Sequence, residues 1–524
     1  MAGPHLPPVE LERSGVDLLT ATAGDLRERL ESGETTSVEL VRLYLDQSAK
    51  HNHDGMKLHA INAVVSRDAL FDQAMALDAE RKNSGPRSPL HGIPITLKNF
   101  YLAPSFGLET TCGSFALEGL TASEDAAIAT ALRDAGCIVI GLANLSEWGN
   151  GKGSNLTAGW SAVGGQTQTP YVKGGVDPDD QWLGHSTPGG SSSGSAVGTT
   201  AGFAALSVGS ESDGSIVQPA IRAALYSIKG AVGDVNMKGT MSGGAGFDSA
   251  GPLAKSVEDC ADVMDILLPG RNFCSHLTKS WDGLHIAYLD YKTGVWHVPC
   301  IAQILTFLLI GAHDCQRHGK DRQLRWEGCI ECAVADARGD HERVWHSSNV
   351  GSSEFLALFN KPELRTVQDL VDFNKQHYEL ELPPDQPSQS VLENAAKDNM
   401  NHEKYLHDLG YLRKSYREAV EKCFEATSAD VIMASGESYL TSIASGAGYP
   451  ITSVPLGFSS YNGRPYGMEI LARNGEEQKI FRVMSAWEVS FPDARNPPPL
   501  LPHLSLPGLI VIRFPFSPSL PFFP

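Results

Sequence analysis

The stretch GSESDGSIVQPA (209–220) sets a serine where a nucleophile is useful. A hydroxyl nucleophile needs a sharp turn that exposes its oxygen, backbone N–H groups left free for an oxyanion, and a proton acceptor. Gly214 permits the turn, and Ser215 falls where a helix is expected to begin, with the unpaired N–H groups of a first turn pointing outward. Pro219 is tolerated there, because an early-turn N–H has no intrahelical partner to lose. Asp213, two residues before the serine, is badly placed to orient a base and is assigned a backbone role.

The acceptor is harder to find. The 17 histidines scatter without a pattern. Lys98 is better placed, at the end of a short strand in which Ile93, Ile95 and Leu97 alternate. A solvated lysine titrates near ~10.4, so service as a base requires a shift of about 3 units, roughly 4 kcal/mol, through desolvation or like charge. The end of a buried strand meets that requirement. Composition alone also fits blander readings, a flexible Gly/Ser linker around GGSSSGS (189–195) and a solvated strand end at Lys98.

Ordered blocks of sequence decide between them. SGETTSVELVRLYLDQ, HGIPITLKN, PGGSSSGSAVG, GSESDGSIVQPA, AGPLAKSVEDCADVMDIL and GAGYPITSVPLGF follow one another between about Leu18 and Pro499. In this the chain resembles the amidase signature family, serine hydrolases with a Ser-cisSer-Lys triad. The resemblance implies that Ser215 is the nucleophile, Lys98 the base, and Ser191 the bridging serine with a cis peptide. Ser191 lies 24 residues before Ser215 and directly follows Gly189 and Gly190. It further implies an oxyanion hole from the amides of Ser212, Asp213, Gly214 and Ser215, a small amide substrate, and no metal or organic cofactor. Three positions depart from the pattern: Asn99 stands for a frequent Asp, Ser193 for a Gly, where a side chain is expected to crowd the loop, and Gln218 occupies a variable place read as structural or substrate-facing.

The elements that must position these groups read as α/β. Residues 24–50 are amphipathic, with Ser37 a cap for a second helix; 62–66 reads as a strand before another helix. Residues 125–135 read as a helix capped by Ser123 or Asp125, and 137–141 as a buried strand. Such helix-then-strand units predict an α/β sheet covered by helices on both faces; the resemblance implies a single large domain over 16–499 with a mixed central sheet. Residues 1–15 are an N-terminal extension, 298–353 do not match the family pattern, and 500–524 form a Pro-rich tail expected to be disordered.

Within the unmatched stretch, Cys315, His318, Cys329 and Cys332 have a zinc-like spacing; no metal is assigned, since the flanking charges read as loop. Nine cysteines, an odd number, do not make a disulfide framework, and Cys112, Cys137 and Cys260 read as reduced core residues. A net charge of −19 opposes non-specific binding to nucleic acid or an anionic membrane. With no basic-then-apolar leader at the N-terminus, a cytoplasmic protein is expected, with a homodimer allowed. Three functions stay open: a stand-alone amidase, the glutaminase subunit of a tRNA-dependent amidotransferase, and a catalytically silent member acting in binding or assembly.

Overall fold

The computed structural model describes residues 15–180, 183–244, 246–289, 322–324 and 341–501. Most of the N-terminal extension, of the unmatched stretch 298–353 and of the Pro-rich tail therefore lies outside the described residues. Thirteen strands occur among those described: β1 (Ile61–Val64), β2 (Pro94–Lys98), β3 (Ile138–Ala143), β4 (Trp160–Ser161), β5 (Gly165–Gln166), β6 (Leu206–Glu211), β7 (Tyr226–Lys229), β8 (Ser249–Ala254), β9 (Ile286–Leu289), β10 (Arg322–Leu324), β11 (Val431–Ser435), β12 (Ile451–Phe458) and β13 (Pro465–Leu471). β4 and β5 pair with each other. The other eleven form one sheet in the order β1-β3-β2-β6-β8-β7-β12-β13-β11-β9-β10. The sheet is mixed: β3, β2 and β6 run parallel, while β8 is antiparallel to both β6 and β7. Every residue of β2, β3, β6, β7 and β8 is buried, which requires helices on both faces of the sheet.

This topology decides where chemistry can gather. β2, β6 and β7 share one direction, so Lys98, Glu211 and Lys229, the last residues of those strands, come to one edge of the sheet. The carboxyl ends of parallel strands are where open α/β sheets bind ligands.

Local boundaries follow capping chemistry and differ in places from the sequence expectation. The helix Ser37–His51 is capped by Thr36, whose hydroxyl takes the Glu39 N–H; Ser37 is its first helical residue. The helix before β3 spans Ala127–Asp134, and its N-cap, Ala126, makes no side-chain cap. Neither Ser123 nor Asp125 performs that task. The Asp125 carboxylate instead accepts the Ser105 N–H (2.9 Å) and pairs with Arg133 (2.8 Å), a longer-range use invisible to local pattern. The strand read at 62–66 is Ile61–Val64; Ser66 lies outside it and caps the helix Arg67–Ser84, which does follow the strand as expected. Cys112, Cys137 and Cys260 are buried free thiols. No helix among the described residues is long and apolar enough to cross a membrane.

Candidate active site

Lys98 is 1% exposed. Its Nζ donates to Ser191 Oγ at 2.7 Å and to the Ser210 carbonyl at 3.0 Å, and lies 4.6 Å from the centre of the Phe100 ring. Burial lowers its pKa to about 7, against the opposing pull of Asp248, Glu211 and Cys112. The shift has the size that the sequence argument demanded of a base.

Ser191 is reached through Gly189 and Gly190, and the Gly190–Ser191 peptide is cis. Its carbonyl accepts the Ser146 N–H at 3.0 Å. The next residue, Ser192, donates its N–H to the Ser215 carbonyl at 3.0 Å, which binds the Ser191 loop to the segment carrying Ser215.

Ser215 is 8% exposed and follows Gly214, whose φ of +80° admits glycine readily. The helix itself spans Val217–Arg222 and so begins two residues later than Ser215. Its first amides are not free, contrary to expectation: one oxygen of Glu211 accepts the N–H of Ile216 (2.5 Å) and of Val217 (3.0 Å). The amides of Ser212, Asp213, Gly214 and Ser215 have no acceptor among the described residues, so the turn before the helix holds the available donors. The Asp213 carboxylate is turned to Ser442, accepting its hydroxyl at 2.7 Å, and makes no contact with Lys98.

Three charged residues at this site carried no sequence signal. Asp248, half-buried, accepts the hydroxyls of Ser212 and Ser242 and the Gly244 N–H (3.2 Å). Desolvation raises its pKa, opposed by those hydrogen bonds and by Lys98. Burial likewise raises Glu211, opposed chiefly by Lys229, and lowers Lys229, opposed by Glu211, Asp213 and Asp248. Two lysines and two carboxyl groups thus share one desolvated edge, each moderating the others.

The three departures have separate outcomes. Asn99 is fully buried and exchanges two hydrogen bonds with Thr111, at 2.9 and 3.1 Å. Ser193 is buried at the start of the helix Ser193–Thr200 and packs against Gly159, where an added methyl group would come within 3.2 Å of it. The Gln218 side chain lies beside Gly214. Cys315, His318, Cys329 and Cys332 lie outside the described residues.

Comparison with known proteins places the family and the fold. The amidase family model matches residues 39–280. An Arabidopsis thaliana protein named as a probable amidase is 31% identical over 89% of both chains. The solved peptide amidase from Stenotrophomonas maltophilia superposes with a TM-score of 0.80 at 30% identity, over 91% of this chain and 98% of that one. A glutamyl-tRNA(Gln) amidotransferase subunit of Prochlorococcus marinus is 25% identical over 91% of this chain and 99% of its own. The chain belongs to the amidase signature family. It is an amidohydrolase, acting on carbon–nitrogen bonds.

Proposed function

We propose that the protein cleaves a small carboxamide through an acyl-enzyme on Ser215, with Ser191 and Lys98 relaying the proton. The observation that carries this reading is the 2.7 Å contact between Lys98 Nζ and Ser191 Oγ in surroundings that bring the lysine to about 7. Neutral Lys98 takes the Ser191 proton as Ser191 takes that of Ser215. Ser215 Oγ bonds to the carbonyl carbon, and the resulting oxyanion is held by the amides of Ser212, Asp213, Gly214 and Ser215. The C–N bond then breaks, the departing nitrogen receiving the relayed proton. Water, activated by the same relay, releases the carboxylate and regenerates Ser215.

Mass-spectrometric mapping after fluorophosphonate treatment tests it. The adduct is expected on Ser215 and absent from Ser215→Ala; labelling elsewhere, with turnover retained in that variant, overturns the assignment.

The near full-length likeness to the amidotransferase protein supports a second reading, in which glutamine is the amide and ammonia passes to a partner. The higher identity to the Arabidopsis protein and to the peptide amidase favours a stand-alone amidase. Ammonia release from peptide amides, aliphatic and aryl amides and glutamine separates the two. Absence of turnover on every amide, with no labelling of Ser215, would favour the silent binding role.

A further inference from the structure

Arg222 ends the helix that follows Ser215, and it is 2% exposed. Burying a guanidinium is costly unless its donors are met and its charge is paired. Here both conditions hold. Nη1 donates to the Gly184 carbonyl (2.7 Å), the Thr187 carbonyl (3.1 Å) and Thr187 Oγ1 (2.6 Å); Nη2 donates to the Leu183 carbonyl (2.9 Å). Nε donates to Glu437, whose other oxygen lies 3.5 Å from Arg464.

All four of those acceptors belong to 183–187, the segment that runs directly into Gly189, Gly190 and Ser191. The segment is held again from its other side, where Asn462 Nδ2 donates to the His185 carbonyl at 3.2 Å. Further along, Gly189 (φ +74°) lies so near the same helix that an added Cβ would fall 3.1 Å from Arg222 Cδ and 3.2 Å from Pro219. Three residues on, past the Ser191 carbonyl that accepts the Ser146 N–H, Ser192 donates its N–H to the Ser215 carbonyl. From Arg222 through Pro219 to Ser215, the approach to Ser191 is therefore laid along the helix that begins beside the nucleophile.

We propose that Arg222 is a positioning residue, which fixes the register of the Ser191 loop on the Ser215 helix and so the alignment of Ser191 between Lys98 and Ser215. Packing alone does not call for this side chain at a buried position. Its planar fork satisfies four acceptors in one segment and a carboxylate in another, a pattern that the three donors of a lysine ammonium do not reproduce. A displacement of about 1 Å in a relay costs on the order of 10²-fold in rate. The inference rests on the reading of Ser191 and Ser215 given above.

The test measures kcat, KM and the rate of fluorophosphonate labelling at Ser215 in Arg222→Lys, Arg222→Met and Thr187→Val, with cooperative unfolding checked for each. Arg222→Lys is expected to lose roughly 30–100-fold in kcat with KM within about threefold, and to label proportionately more slowly. Thr187→Val removes only the Oγ1 acceptor and is expected to lose roughly 3–10-fold in kcat in the same sense. Folded Arg222 variants with wild-type kcat and labelling rate overturn the proposal, as does a rise confined to KM. If the Arg222 variants do not fold, Thr187→Val decides, and an unchanged kcat there overturns it. Ser215→Ala separates the two levels: turnover retained in that variant removes the role of Ser215 and this inference with it, whereas a dead Ser215→Ala beside an unaffected Thr187→Val and Arg222→Lys removes only the role of Arg222.

Discussion

Glu211 accepts the Ile216 N–H at 2.5 Å through the same oxygen that takes the Val217 N–H, so the last residue of β6 closes the turn on which Ser215 stands. Its other oxygen is buried without a hydrogen-bond partner. A glutamine placing its carbonyl oxygen on the occupied side keeps both bonds; an alanine leaves two buried amides bare, at about 1–3 kcal/mol each. Glu211→Ala is expected to lower Tm and kcat together, and Glu211→Gln to stay near wild type in Tm. Because the Glu211 charge raises the pKa of Lys98, the acid limb of the Glu211→Gln rate profile should move to lower pH. A limb that does not move would show that Glu211 is already neutral in the working enzyme.

The pH dependence of wild-type kcat/KM follows from Lys98. The relay needs the neutral amine, so log kcat/KM should climb with pH up to about 7 and level off above it. The stability sign is opposite to that of a salt-bridged lysine. With the folded pKa below the unfolded one, the folded state binds fewer protons between about 7 and 10.5, so stability rises with pH across that window, and the full penalty of burying the ammonium applies below it. The penalty at pH 7 is about 4 kcal/mol. Lys98→Met should thus lose ~10²–10⁴-fold in rate while gaining Tm at pH 6. Lys255, brought to about 7 by burial while it donates to the Leu18 and Ala21 carbonyls, adds its own slope in the same window. The difference between wild type and Lys98→Met at each pH isolates the active-site lysine.

What was legible in the sequence was what local chemistry writes there. A glycine before a serine at the mouth of a helix, and a lysine closing an apolar run, announce themselves within a dozen residues. Ser191 was visible only through its resemblance to a family motif, since nothing in GGSSSGS distinguishes one hydroxyl from its neighbours. Asp248 lies 36 residues from Ser212, and Glu437 lies 215 from Arg222; the sheet order brings those pairs together, and no periodicity records it. The same blindness explains the misplaced cap at Asp125, a good capping residue that tertiary structure assigns to Ser105 and Arg133 instead.

Glu437 gives an acid-side prediction. Burial pushes its carboxyl up, but Arg222 and Arg464 outweigh that and bring it down to about 2. A depressed carboxyl contributes stability that is present above its unfolded pKa of about 4.5 and is lost as pH falls toward 2. The contribution is about 3 kcal/mol at neutral pH. Chemical denaturation of wild type and Glu437→Gln should differ most at pH 6–7 and converge near pH 2. Parallel curves over that range would mean that the carboxylate is not what neutralises Arg222.

A second buried charge cluster lies behind the Ser191 loop. Lys152, fully buried, has its Nζ 2.8 Å from both Glu147 Oε1 and Glu381 Oε2 and 4.9 Å from the Trp160 ring centre. Glu381 also accepts the Ser114 hydroxyl (3.0 Å) and the Phe115 N–H (2.8 Å); Glu147 accepts the Ala162 N–H (2.9 Å). One cation faces two carboxyl groups, and burial together with Glu381 pushes the Glu147 carboxyl well above its ordinary range, against the pull of Lys152. Removing the cation leaves an uncompensated buried carboxylate, which typically costs 3–5 kcal/mol. Lys152→Met is therefore expected to lose about that much stability at pH 8. Glu147→Gln keeps the shape and leaves Glu381 to pair with Lys152; since burial already disfavours the Glu147 charge, it is expected to cost about 1 kcal/mol or less. The cluster also bears on the site: Trp148 and Gly149 follow Glu147, and a Cβ on Gly149 would lie 3.7 Å from Ser191 Oγ. A Lys152→Met protein that folds should accordingly lose kcat as well as Tm. If Glu147→Gln proves as destabilising as Lys152→Met at pH 8, Glu147 is ionised in the fold and its charge is needed beside Lys152.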